Sequence, residues 1–137
     1  MTRLLLSRLM LLAVTGVVVG CGSSEPARIS ARGTVSLNGT PVRSGWIFFD
    51  PDLSQQTDGP QGFARIDNGH YDTRVGKGRG PIGGPSVVRI EGETETNGSR
   101  VLVEYSTTID LPKTAFTQDF DLPTSAARKP QGPTNLP

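Results

Sequence analysis

At 137 residues, with 14 Lys and Arg against 13 Asp and Glu, the chain has room for one domain with its own core and too little for two once its amino-terminal stretch is set aside. Its basic residues are scattered among acids, which excludes the gathered basic face of a nucleic-acid binder. Seventeen Gly and eleven Pro with few aromatics point away from helices and toward short strands joined by turns, and the single Cys excludes an internal disulfide.

The chain opens with Arg3 and Arg8 around Leu4 to Leu6, then an apolar run from Leu9 to Val19 ending in Val18-Val19-Gly20-Cys21. Basic residues that stay on the cytoplasmic side, an apolar run that enters the membrane and small residues before a cleavage point are the parts of an export signal. The run falls short of the roughly 20 apolar residues of a spanning helix, and no second apolar segment follows it, so the chain is expected to be anchored and not spanning. Val18-Val19-Gly20-Cys21 resembles the bacterial lipobox. That resemblance implies removal of residues 1–20 as a signal peptide, acylation of Cys21 with diacylglycerol and palmitate-type chains, and a lipid-anchored protein on the extracytoplasmic side of the cell envelope. Gly22, where Asp marks inner-membrane retention in some bacteria, favours the outer membrane. Loss of Arg3 and Arg8 leaves twelve basic residues against 13 acidic ones in the mature chain.

Residues 21–28 read as the lipidated Cys and a linker, and the domain is expected over 29–122. Ile29 to Leu37 alternates, with Ala31, Gly33, Val35 and Leu37 on one face and Arg32, Thr34 and Ser36 on the other, the pattern of a half-buried strand. Asn38-Gly39 predicts a tight hairpin turn, because that dipeptide tolerates positive φ at both central positions. Gly45 to Asp50 is apolar on both faces, stopped by Pro51, and is expected to be a central core strand. Residues 51–61 read as an exposed loop. Phe63 to Ile66 and His70 to Val75 form a second hairpin across Asp67-Asn68-Gly69. Gly76 to Pro85 is too rich in glycine for a regular element. Strands follow at Ser86 to Glu91 and Arg100 to Ser106, separated by a polar excursion over Gly92 to Ser99. Thr107 to Leu111 leads to Pro112, and a last run places Phe116, Phe120 and Leu122 on one face with Thr117, Asp119 and Asp121 on the other. Asn38-Gly39-Thr40 and Asn97-Gly98-Ser99 have the form of N-glycosylation acceptors but read as glycine turns. About seven short strands bounded by turns predict an all-β sandwich, and residues 123–137, poor in apolar side chains, are expected to form a disordered tail.

Gly33-Thr34-Val35-Ser36-Leu37-Asn38-Gly39-Thr40-Pro41-Val42 followed by Gly45-Trp46-Ile47-Phe48-Phe49-Asp50-Pro51 resembles the opening of carboxypeptidase regulatory-like, transthyretin-like domains. Asn68-Gly69-His70-Tyr71 resembles that family's N/D-G-x-Y hairpin, Gly80 to Ile90 its approach to a strand of alternating Val, Arg and Ile, and Thr117 to Leu122 its closing strand. The match spans most of residues 30–122, with Gly84-Pro85-Ser86 standing where the family has Gly-x-Tyr. Together with the lipobox, the chain is most similar to small bacterial lipoproteins that carry one such domain. The resemblance implies a seven-stranded prealbumin-like, Ig-like β-sandwich with no activity and no cofactor of its own.

No catalytic motif stands out: a nucleophile elbow, a zinc signature and a motif-placed carboxylate pair are all missing. His70, the only histidine, reads as a solvent-facing strand residue beside an inward Tyr71. Asp50, Asp52 and Asp58 lack calcium-loop spacing, so no metal is expected, although Asp52 and Asp58 remain candidate ligand-loop residues. Gly76-Lys77-Gly78-Arg79-Gly80 offers backbone amides and two cations, Lys77 and Arg79, as a candidate anion nest. Trp46, Tyr71 and Tyr105 are candidate stacking platforms, with core packing as the competing role. The expectation is a non-enzymatic envelope lipoprotein whose sandwich binds or spaces, with membrane lipid as its partner through Cys21. The alternatives are a carbohydrate- or peptidoglycan-binding module and a protein-interaction module that accepts a strand along Ser86 to Glu91.

Overall fold

The computed structural model of the chain describes Gly22 and residues 24–130. The expected signal peptide over 1–20, the lipidation site Cys21 and residues 131–137 of the expected tail lie outside the described residues. The described residues are all-β and mostly antiparallel, in ten strands: β1 Ala31–Leu37, β2 Thr40–Pro41, β3 Ser44–Pro51, β4 Gly62–Asp67, β5 His70–Asp72, β6 Gly84–Thr96, β7 Ser99–Leu111, β8 Phe116–Thr117, β9 Phe120–Leu122 and β10 Ala127–Arg128. They join in the order β10-β7-β6-β3-β4-β5-β1-β2, with β8 and β9 also on β1.

The sheet curls so that residues from both of its ends share one interior. Val35 of β1 and Leu122 of β9 are buried in the same cluster as Val88 and Ile90 of β6, with Ile47, Phe49 and Ile66 between them. The alternation expected for β1 holds at Ala31, Val35 and Leu37, which are buried while Arg32 and Thr34 face out.

Three Asn-Gly turns set the hairpins. Asn38, Asn68 and Asn97 take φ of 47°, 46° and 52°, and the glycines after them 81°, 81° and 72°, the paired positive values that a two-residue turn between twisted strands requires. The third turn corrects the expected polar excursion. Residues 92–96 stay in β6 and residues 99–111 form one strand, paired without a break from Gly84↔Leu111 to Thr96↔Ser99. Ladder hydrogen bonds do not need apolar side chains, and the glutamates of this projecting hairpin are held by arginines, Glu93 by Arg100 and Glu95 by Arg43 at 3.0 Å.

Further corrections concern faces and edges. β3 is central, with β4 on one side and β6 on the other, but only Ile47 and Phe49 enter the interior; Trp46 is 39 % exposed and Phe48 half-buried. A single curled sheet has one inner face, so an apolar run cannot bury both of its sides. Ser86 to Glu91 is no edge, because β6 pairs with β3 and β7 along that whole stretch. The closing run is split in two, β8 and β9, both parallel to β1. At the break, the carboxylate of Asp119 replaces a ladder carbonyl and accepts the Thr34 N–H at 2.8 Å. The first part of the expected disordered tail is ordered: Ala126 is buried, and Ala127 and Arg128 pair with Val103 and Leu102 of β7.

Candidate functional site

Outward side chains of β1, β3, β4 and β5, with the closing run beyond β1, line an open groove of about 1020 Å³. Cross-strand pairing builds it in rows. Trp46 lies opposite Arg65, Asp67 opposite His70, and His70 opposite Thr34. Each alternates with a buried residue, Ile47, Ala64, Ile66 or Tyr71, so the packing of the inner face fixes what the outer face presents. Thr117 and Asp119 line the side beyond β1, and Val75 to Gly78 close one end.

The charges in the groove differ in what already holds them. Asp72 accepts the Arg74 N–H at 2.9 Å and its guanidinium at 3.0 and 2.8 Å, and these bonds push its carboxyl down to about 2. Asp119 is engaged by the Thr34 N–H, and Arg32 donates to the Thr117 hydroxyl at 3.4 Å. Arg65 and Lys77 have no ion pair and no side-chain hydrogen bond among the described residues. Trp46 meets Phe63 edge to face at 6.1 Å. Beside that pair, Arg89 covers the Phe48 ring at 4.8 Å and is held by Asp50 at 2.7 Å.

The residues singled out in the sequence fall in different places. Trp46 and Lys77 line the groove. Tyr71 does not offer a platform: it is 3 % exposed, packs against Phe49 and Phe120, and donates its hydroxyl to the Gln118 carbonyl at 2.7 Å. Burial and the nearby Asp119 hold that phenol above its ordinary range. Tyr105 is half-buried on β7 against the core, away from the groove. Arg79 has an exposed side chain, but its backbone exchanges two hydrogen bonds of 2.8 Å with Phe63. With Gly78 N–H donating to the Val75 carbonyl at 3.1 Å, two amides of the expected anion nest are already used. Asp52 is a structural cap and not a ligand-loop residue: it is buried and accepts from Ser54 N–H at 3.0 Å, Ser54 Oγ at 2.6 Å and Gln55 at 3.1 Å. Those donors, Ser54 above all, hold its carboxyl below the ordinary carboxylate range. Asp58 is exposed in the loop after β3, outside the groove. Cys21 is outside the described residues.

Arg32, Thr34, Thr117 and Asp119 carried a signal in the sequence, since alternation had already set them on outward faces. What brings the two pairs together is the parallel pairing of the first strand with the closing run, Arg32 beside Thr117 and Val35 beside Phe120. Arg65 gave no signal on its own; it matters because it stands across from Trp46. The row Asp67, His70, Thr34 has the residue types of a histidine-assisted nucleophile, yet no hydrogen bond joins its members among the described residues, and Asp67 accepts from Asn68 at 3.0 Å instead. No protein-family model, curated protein or solved structure matches the chain.

Proposed function

We propose that this chain is a bacterial cell-envelope lipoprotein, cleaved before Cys21 and acylated there, whose domain binds a ligand without transforming it. In this reading the curled sheet is a carboxypeptidase regulatory-like, prealbumin-like sandwich whose seven main strands are β1, β3, β4, β5, β6, β7 and β9. The strands outside that set, β2, β8 and β10, are two residues long each, which supports the reading.

The observation that carries a binding role is the groove with Trp46 exposed in it beside the free cation Arg65. An indole flanked by exposed polar groups suits a saccharide: apolar ring faces stack on the aromatic, and hydroxyls meet Arg65, Asp67 and His70. Glycan strands of peptidoglycan are the saccharide that an envelope protein meets first.

Trp46 is the only tryptophan, so its fluorescence reports on the groove alone. Titration with solubilised peptidoglycan glycan strands is expected to give a saturable change in intensity and wavelength. In Trp46→Ala, the same titration followed by calorimetry is expected to show binding weakened about tenfold, the loss of roughly 1.4 kcal/mol of stacking. Absence of saturation with these strands and with a panel of other oligosaccharides would leave spacing as the function. Labelled palmitate is expected to enter the wild type and not Cys21→Ala.

A further inference from the structure

The two ends of the domain differ. The Asn38-Gly39, Asn68-Gly69 and Asn97-Gly98 turns all lie at one end, because β1, β4 and β6 run toward it. The other end gathers the segment before β1, the loop between β3 and β4, the loop between β5 and β6 and residues 112–115. The incoming chain is pinned there. Arg28 donates to the carbonyls of Gln61 at 3.1 Å and Gly80 at 2.9 Å, and the Ile29 N–H donates to Pro81 at 2.8 Å.

We propose that this loop end rests on the lipid surface, with Leu53 and Val75 entering the boundary between headgroups and acyl chains. The inference depends on acylation of Cys21. Arg28 stands seven positions after Cys21, a reach of at most about 25 Å, while the 13 residues of β6 extend for roughly 40 Å. The tether is shorter than the domain is long, so the Asn97-Gly98 tip cannot be the end that meets the membrane.

The near end carries the chemistry for that contact. Leu53 is 73 % exposed and Val75 68 %, and Trp46 in the groove is the remaining large exposed hydrophobic among the described residues. Leu53 is not on a loose loop: Asp52 caps its 3-10 turn, and the Gln56 N–H closes on the Leu53 carbonyl at 3.2 Å. A turn capped by the buried Asp52 therefore holds an aliphatic side chain outward. Lys77, Arg79 and Lys113 are exposed at the same end, placed for headgroup phosphates. The exposed acids there are Glu25, Asp58 and Asp110, of which Glu25 is already held by Arg28; the half-buried Asp72 is held by Arg74, and the buried Asp52 is capped. Charge therefore contributes locally, and the apolar pair sets the orientation. Two side chains hold a free protein to a bilayer only weakly, but a covalent tether keeps them at high effective concentration beside it.

The test uses the full-length lipidated protein in vesicles of phosphatidylethanolamine and phosphatidylglycerol. With the native cysteine acylated, Leu53→Cys, Val75→Cys and Ser99→Cys each carry one free thiol for a nitroxide. All three sites are exposed, so the substitutions leave the fold intact. Collision with oxygen relative to a water-soluble nickel chelate is expected to be several-fold higher at 53 and 75 than at 99. Equal ratios at the three sites, with acylation confirmed by the mass of the amino-terminal peptide, would overturn the orientation. A peptide mass without acyl chains would instead overturn the anchor, and the orientation with it.

Discussion

Asp72 has a pH-dependent consequence that a measurement can isolate. Its carboxyl is lowered to about 2 in the folded protein by hydrogen bonds from Arg74, against an ordinary value of 3.8 in the unfolded chain. A group depressed on folding contributes stability that is complete above its unfolded value and is lost as pH falls through the folded one. The wild type is therefore expected to exceed Asp72→Asn in stability at pH 7, with the difference shrinking between about pH 4 and pH 2 in chemical denaturation. A constant difference across that window would show that Arg74 does not hold the carboxylate. Trp46 shows how far single residues were legible: the run Trp46 to Phe49 is apolar at every position, so periodicity could not say which side faced the core. That decision came from Ile47 and Phe49 facing the interior, which forces Trp46 and Phe48 outward.

Among the elements, those with local causes were the legible ones. Asn-Gly chemistry is complete within four residues, so the hairpins at Asn38 and Asn68 follow from the sequence alone. The long β6–β7 hairpin did not, because its outer half is polar and its stability lies in ladder bonds and arginine pairs. The split closing strand also escaped, since its partner is β1, far away in sequence. Two glycines separate steric from conformational demands. Gly33 runs so close to the Gln118 carbonyl that a Cβ there would overlap it, whereas Gly98 has no atom within 4 Å of such a Cβ and only a positive φ of 72°. Gly98→Ala is expected to cost about 1–2 kcal/mol from backbone conformation alone. Gly33→Ala is expected to cost more, because it must push the closing run off β1 as well. Denaturant midpoints for the two variants check the order, and the reverse order would mean that the β1–β9 contact yields easily.

On the scale of the whole molecule, the curled sheet separates three tasks. Its interior holds the fold together through Phe49, Ile66, Ile90 and Leu122, its outer face carries the groove, and its loop end receives the chain from Cys21. A domain resting on its loop end presents the groove sideways, with Trp46 and His70 toward the distal end and Lys77 nearer the lipid. The all-β class was legible from turn residues and alternation, whereas the groove was not, since it exists only once four strands and the closing run lie side by side. Mapping amide chemical-shift changes in the folded protein as solubilised peptidoglycan glycan strands are added tests the binding role most directly. The expected result is a cluster of shifts at Trp46, Arg65, His70 and Thr117 with the core unmoved. Shifts confined to other surfaces, such as β7, or no shifts at all would contradict the groove as the functional site.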